Sequence, residues 1–224
     1  MPTELYAVLF ALINFCFLVL FYKLFGKTGM ITWIGFAAII ANIQVVKTIE
    51  LFGLIVTMGN VMYATTFLAT DLLNEKYGKK TANKAVWLGF ATLFISTVIM
   101  QLVLQFEPHV EDLAHDHLAF IFDFALRIAA GSLIAFLISN HLNVYIFAFF
   151  KKLFPTMLWL RNIASSIIGQ AFDTLIFCTI AFLGVYSFDI WLEIAFTTYL
   201  MKFLVSVIGI PFIYWARSIK PLSN

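Results

Sequence analysis

A chain of 224 residues with 62% hydrophobic side chains, 12% charged ones and a mean hydropathy of +0.97 does not have the surface of a water-soluble domain, where roughly a quarter of residues are charged. The formal net charge of +2 is spread over the connections, which excludes the clustered basic face that nucleic-acid binding requires. A bilayer core takes roughly 20 apolar residues per helical crossing, so the length holds about seven crossings and no separate soluble domain. The expected fold class is therefore all-α, a polytopic transmembrane helical bundle forming one domain over 1–224.

Apolar runs at 5–25, 30–46, 54–73, 82–104, 119–150, 158–186 and 190–216 mark the predicted spans. The first follows Met1-Pro2-Thr3-Glu4, with neither a basic leader nor a small-residue cleavage site, and is read as a retained helix rather than a signal peptide. Asn42, Gln44, Lys47 and Glu50 crowd the end of the second, which predicts a broken or re-entrant stretch running to Gly53. The third carries Asn60, Ala64, Phe67 and Asp71 on one helical face. The fifth is about 30 residues long, and Ser139-Asn140-His141-Leu142-Asn143 within it predicts a tilt, a break or a projection beyond the membrane.

Lys and Arg collect on alternate connections: Lys23 and Lys27, then Lys76 to Lys84, then Lys151, Lys152 and Arg161, then Arg217 and Lys220. The remaining connections carry Glu107, Glu111, Asp112, Asp116, Asp189 and Glu193. The positive-inside rule then predicts an outside N-terminus and a cytoplasmic C-terminus. Trp33, Trp87, Trp159, Trp191 and Trp215 fall near span ends, as interfacial anchors do.

An ionised side chain at mid-bilayer depth costs roughly 2.5–3.5 kcal/mol on insertion scales, so each one needs a partner or a wet cavity. Asp173 lies near the middle of the sixth span and Lys202 near the middle of the seventh, and pairing them is the simplest way to bury both. Asn162, Ser166, Gln170 and Asp173 form a polar stripe on the sixth span, and Thr198, Lys202 and Ser206 a second on the seventh. Asp123 and Arg127 are spaced to neutralise one another on the fifth.

Two readings stay open for these groups, a ligand site or a set of bonds that only joins helices. Asp71 is one turn from Lys76 and reads as a solvated cap or a gate as readily as a ligand contact. Tyr63, Phe67, Phe172 and Tyr199 are the aromatics close enough to the stripes to stack on a ligand.

Cys16 and Cys178 lie in apolar runs and behave as small hydrophobes. His109, His115 and His117 with their acidic neighbours match no ligand spacing, so no metal site is expected. No His-Glu-x-x-His, Gly-x-Ser-x-Gly or paired intramembrane aspartates are present, so no enzyme is expected. Ser165 with Gly169, and Gly131 with Ala135, have the spacing of close helix packing, internal or in a homodimer.

The chain resembles the queuosine precursor transporter family, a vitamin-uptake-transporter-like group. The most distinctive stretch is Asn42-Ile43-Gln44, then Phe67-Leu68-Ala69-Thr70-Asp71 running into Tyr77-Gly78. Arg127-Ile128-Ala129, Asn143 to Phe147, Gly169-Gln170 with Asp173-Thr174, and Glu193-Ile194-Ala195 followed by Tyr199 and Lys202 extend it over about residues 40 to 215. Gln170 stands where the family pattern often has Asn, and Thr198 where some members carry a carboxylate.

The resemblance implies a six-span core at 28–217 with an extra span at 1–27, placed in the bacterial cytoplasmic membrane. It also implies import of a 7-deazaguanine such as 7-cyano-7-deazaguanine, its aminomethyl relative or queuine, without a cofactor. The alternative is a substrate-capture subunit that needs a separate energising module. The substrate-binding residues so implied are Asp173 as the first choice of carboxylate, with Asp71 as a second acid. Asn42, Gln44, Asn60 and Gln170 supply amides, Arg127 and Lys202 cations, and Phe67 a stacking ring.

Overall fold

The first helix, α1 (Thr3–Gln44), contains 42 residues and would be about 63 Å long if straight, twice the thickness of a hydrocarbon core. It is not straight. Gly26 has φ 53° and ψ −133°, a conformation open only to glycine, and the chain turns back there. Phe21 and Trp33 would lie about 18 Å apart along a continuous helix, yet their ring centroids are 5.8 Å apart. The two apolar runs read from the sequence are thus the two arms of one helical hairpin. The computed structural model describes residues 3–122 and 126–222, apart from the side chains of Ile55, Leu126, Arg127 and Ile128.

Beyond α1 the predicted broken or re-entrant helix is replaced by two short antiparallel strands, β1 (Thr48–Leu51) and β2 (Leu54–Thr57), with Thr48 opposite Thr57 and Leu51 opposite Leu54. Phe52 and Gly53 make the turn, both at positive φ, as a two-residue hairpin requires. The β-branched residues of 48–57 and this turn chemistry outweigh the apolar character that suggested a helix. Lys47 and Glu50 are exposed there.

The chain continues through α2 (Gly59–Tyr77), α3 (Lys79–Val103), α4 (His115–Phe122), α5 (Leu126–Leu153), α6 (Leu158–Phe182) and α7 (Phe188–Ser218). Among the described residues five helices, α1, α3, α5, α6 and α7, are long and apolar enough to cross a membrane, and α1 supplies two arms. α2 carries too many polar residues for that test, but it is the centre of the bundle: from Gly59 to Asn74 only Tyr63 is not fully buried. Phe17, Trp87, Ile99, Phe172, Phe196 and Trp215 are among the large apolar side chains on the outside, where lipid is their solvent.

α5 runs without interruption through Ser139 and Asn143, so of the tilt, break or projection expected in that stretch the break does not occur. Its polar residues are instead turned inward, with Ser139, Asn140 and Asn143 fully buried. α5 and α6 approach closely because Gly169 has no side chain: a Cβ there would meet Phe67 Cε1 at 2.9 Å and Asn143 Cβ at 3.2 Å.

The bundle has two distinct ends. The basic end gathers Lys23, Glu75, Lys151, Arg161 and Arg217, and the Leu222 amide donates to the Lys23 carbonyl there at 2.8 Å. The opposite end carries the β-hairpin, α4 and the α6–α7 connection.

Candidate functional site

A cavity of about 600 Å³ opens toward the hairpin end, between the second arm of α1, the strands, α2, α5, α6 and α7. Its walls are mostly apolar, with Asn42, Thr57, Asn60, Ser132, Glu193, Thr197 and Thr198 as polar exceptions. Tyr63, Asp173 and Lys202 form its floor.

The floor is a hydrogen-bonded charge pair. Lys202 Nζ lies 2.5 Å from Asp173 Oδ2, with both side chains nearly buried. The Tyr63 hydroxyl donates to Asp173 Oδ1 at 2.5 Å, and Ser139 Oγ donates to the same oxygen at 3.1 Å. Lys202 Nζ also sits 5.0 Å from the centroid of the Tyr63 ring, within cation–π range. Four helices, α2, α5, α6 and α7, thereby meet at one carboxylate. A buried pair holds only when its remaining lone pairs are also satisfied, and these donors do that. They also occupy most of the roughly four acceptor sites a carboxylate offers.

Two further polar layers lie beneath the floor, both centred on α2. Asp71, fully buried, accepts Asn143 Nδ2 at 2.7 Å on Oδ1, and Asn162 Nδ2 at 2.7 Å with Ser165 Oγ at 3.1 Å on Oδ2. The solvated-cap reading of Asp71 is thus corrected: α5 and α6 pack over it and exclude water. One turn further along, Glu75 binds Arg161 at 3.0 Å, Lys151 at 3.1 Å and Arg217 at 3.3 Å. Lys151 additionally donates to the Glu75 carbonyl at 2.7 Å, one of the orphan carbonyls at the end of α2.

The residues singled out from the sequence separate accordingly. Asp173, Lys202, Asn42 and Asn60 border the cavity together. Gln170 does not; it is buried one turn below Asp173 and donates to Ser206 Oγ at 2.6 Å. Phe67 is 1% exposed, edge-on to Tyr63 with centroids 5.6 Å apart, and separates the floor from Asp71 rather than lining the cavity. Asp71 and Gln44 are likewise absent from the cavity lining.

The Arg127 side chain and Asp123 lie outside the described residues. Of the aromatic candidates only Tyr63 borders the cavity, and Phe172 faces outward. Among the described residues no group of three His, Cys, Asp or Glu side chains is placed to hold a metal.

Sequence reasoning missed Glu193 and Ser139 as part of this site. Glu193 reads as an acid of an outer connection because it stands at the very start of the seventh apolar run, 190–216, beside Asp189. α7 starts at Phe188, however, and this turns Glu193, Thr197, Thr198 and Lys202 toward one cavity. The four-residue spacing of 193 and 197, and of 198 and 202, was the available signal.

A mostly apolar cavity with a charged floor, inside a bundle whose outer face is apolar, is the architecture of a multi-pass membrane transporter for a small solute. A family model described as "Putative vitamin uptake transporter" matches residues 57–216, from the end of β2 almost to the end of α7. The chain belongs to that family, as a multi-pass bacterial membrane protein. It is 53% identical over 216 residues to a Bacillus subtilis protein named "Probable queuosine precursor transporter", covering 96% of this chain and 94% of that one. It is 30% identical over 173 residues to the Escherichia coli "Queuosine precursor transporter", covering 75% of each. No solved structure gives a significant match.

Proposed function

We propose that this protein imports queuosine precursors, 7-deazaguanine bases such as 7-cyano-7-deazaguanine and its aminomethyl relative, across the bacterial cytoplasmic membrane. The observation that carries the reading is the 53% identity over nearly the whole chain to a relative bearing that name. The chemistry of the cavity agrees with it. About 600 Å³ accommodates a two-ring base with water to spare. The apolar walls suit the flat faces of such a base, and the Asn42 and Asn60 amides suit its hydrogen-bonding edges.

Lys202 approaches the carbonyl or nitrile acceptors of the base from the floor, while Asp173 and Tyr63 hold Lys202 in place. The excess of Lys and Arg at the basic end supports an orientation with that end in the cytoplasm and the cavity mouth outside.

The test is uptake of labelled 7-deazaguanine by cells that lack their own importer and cannot synthesise the base. Accumulation well above the empty vector is expected, and equality with it overturns the reading. Flux into liposomes containing only the purified protein is also expected; its absence, with uptake in cells retained, points to a substrate-capture subunit that needs an energising module.

A further inference from the structure

Among the described residues two carboxylates border the cavity, and they differ in what they still have to offer. Asp173 Oδ1 already receives Tyr63 and Ser139, and Oδ2 receives Lys202. Glu193 borders the same cavity, on the second turn of α7, and among the described residues its carboxylate has no hydrogen-bond or ion-pair partner. It is therefore the cavity's uncommitted carboxylate among the described residues. The helix also leaves it free to move, because Glu193 is exposed at the mouth rather than packed.

An uncommitted carboxylate is matched by a ligand with two parallel N–H donors, since each oxygen then accepts one bond in the charge-assisted, bidentate manner of a guanidinium. The pyrimidinone ring of a guanine-type base has such an edge, made of its ring N–H and its exocyclic 2-amino group. The other functional groups of the base, its carbonyl and any nitrile, are acceptors. They require donors, which Lys202, Asn42 and Asn60 provide elsewhere around the same space.

We propose that Glu193, rather than Asp173, receives the N–H and 2-amino edge of the base and so selects guanine-type over hypoxanthine-type 7-deazapurines. Asp173 is a positioning residue for Lys202 and Tyr63. The assignment rests on the deazaguanine reading above. It reverses the ranking drawn from sequence, where depth in the membrane favoured Asp173; the structure shows that the deep carboxylate is the one already used.

The experiment measures binding of two probes to the purified full chain in nanodiscs, 7-cyano-7-deazaguanine and its analogue lacking the 2-amino group. Wild type is expected to bind the 2-amino base at least about tenfold more tightly, the scale of a charge-assisted hydrogen bond. Glu193→Gln is expected to lose most of that preference, and Glu193→Asp to keep part of it. Because Glu193 has no partner to lose, the melting temperature of each variant is expected to stay near that of wild type.

Discrimination that survives unchanged in Glu193→Gln overturns the assignment and leaves the transport reading standing. Equal wild-type binding of the two probes does the same. If wild type binds neither base, the deazaguanine reading itself falls and the assignment falls with it.

Discussion

The floor of the cavity and the basic end of the bundle are built from the same material, an interior carboxylate and the cations of neighbouring helices, yet they do different things. Glu75 engages three cations from α5, α6 and α7 and has protein on every side. Asp173 engages one cation, completes its bonding with two neutral hydroxyls, and has about 600 Å³ of open space beside it. A buried ion pair is therefore not in itself a sign of a ligand site. The space next to it, and whether any partner is left uncommitted, make the distinction. Asp71, midway between them with three neutral donors and no space, belongs with neither.

The contrast breaks most sharply at Glu75. Glu75→Gln leaves the buried Arg161 guanidinium, 1% exposed, without its carboxylate, and is expected to cost about 3–5 kcal/mol. Thermal unfolding in detergent checks this. Lys202→Met strands Asp173 in the same way and is expected to cost about 3 kcal/mol and to abolish uptake. The double variant Asp173→Asn with Lys202→Met is then the informative one: unfolding measurements are expected to recover much of the lost stability, because no lone charge remains buried, while uptake stays absent. Recovery of both would make the pair purely structural.

Gly169→Ala pushes a methyl group into Phe67, the ring that separates the floor from Asp71. An overpacking cost of about 1–3 kcal/mol is expected, with a lower melting temperature as the readout. The smallest effect belongs to Arg217→Ala. This side chain is 44% exposed, and removing one partly solvated cation from a carboxylate that keeps two others is expected to change stability by less than about 1 kcal/mol. A larger loss would mean that the basic end depends on its rim and not on Arg161.

The helical bundle was legible because a membrane chain has few options: every backbone group must be bonded within its own segment, so apolar runs and their punctuation mark the helices directly. The pairing of Asp173 with Lys202 followed from the cost of leaving either alone, and the polar stripe on α6 from helical spacing. Local chemistry hid the rest. The β-hairpin at 48–57 takes up the first residues of the apolar run 54–73, which read as span. Ser139 and Asn143 looked like a flaw in a helix when they are its buried, bonded face.

By itself, then, the sequence determined the solvent, the helices and which residues had to find partners. It did so because dehydration costs are properties of single residues and segments. Only the tertiary structure decided which partner each residue found, and so which groups remained free. Asp71 and Glu193 differ little as letters in a string, but one is enclosed by α5 and α6 while the other is left at an open mouth by the start of α7 at Phe188. Acceptor capacity left over after folding is a property of the assembled contacts, and it is this remainder that turns a charged residue into a binding site.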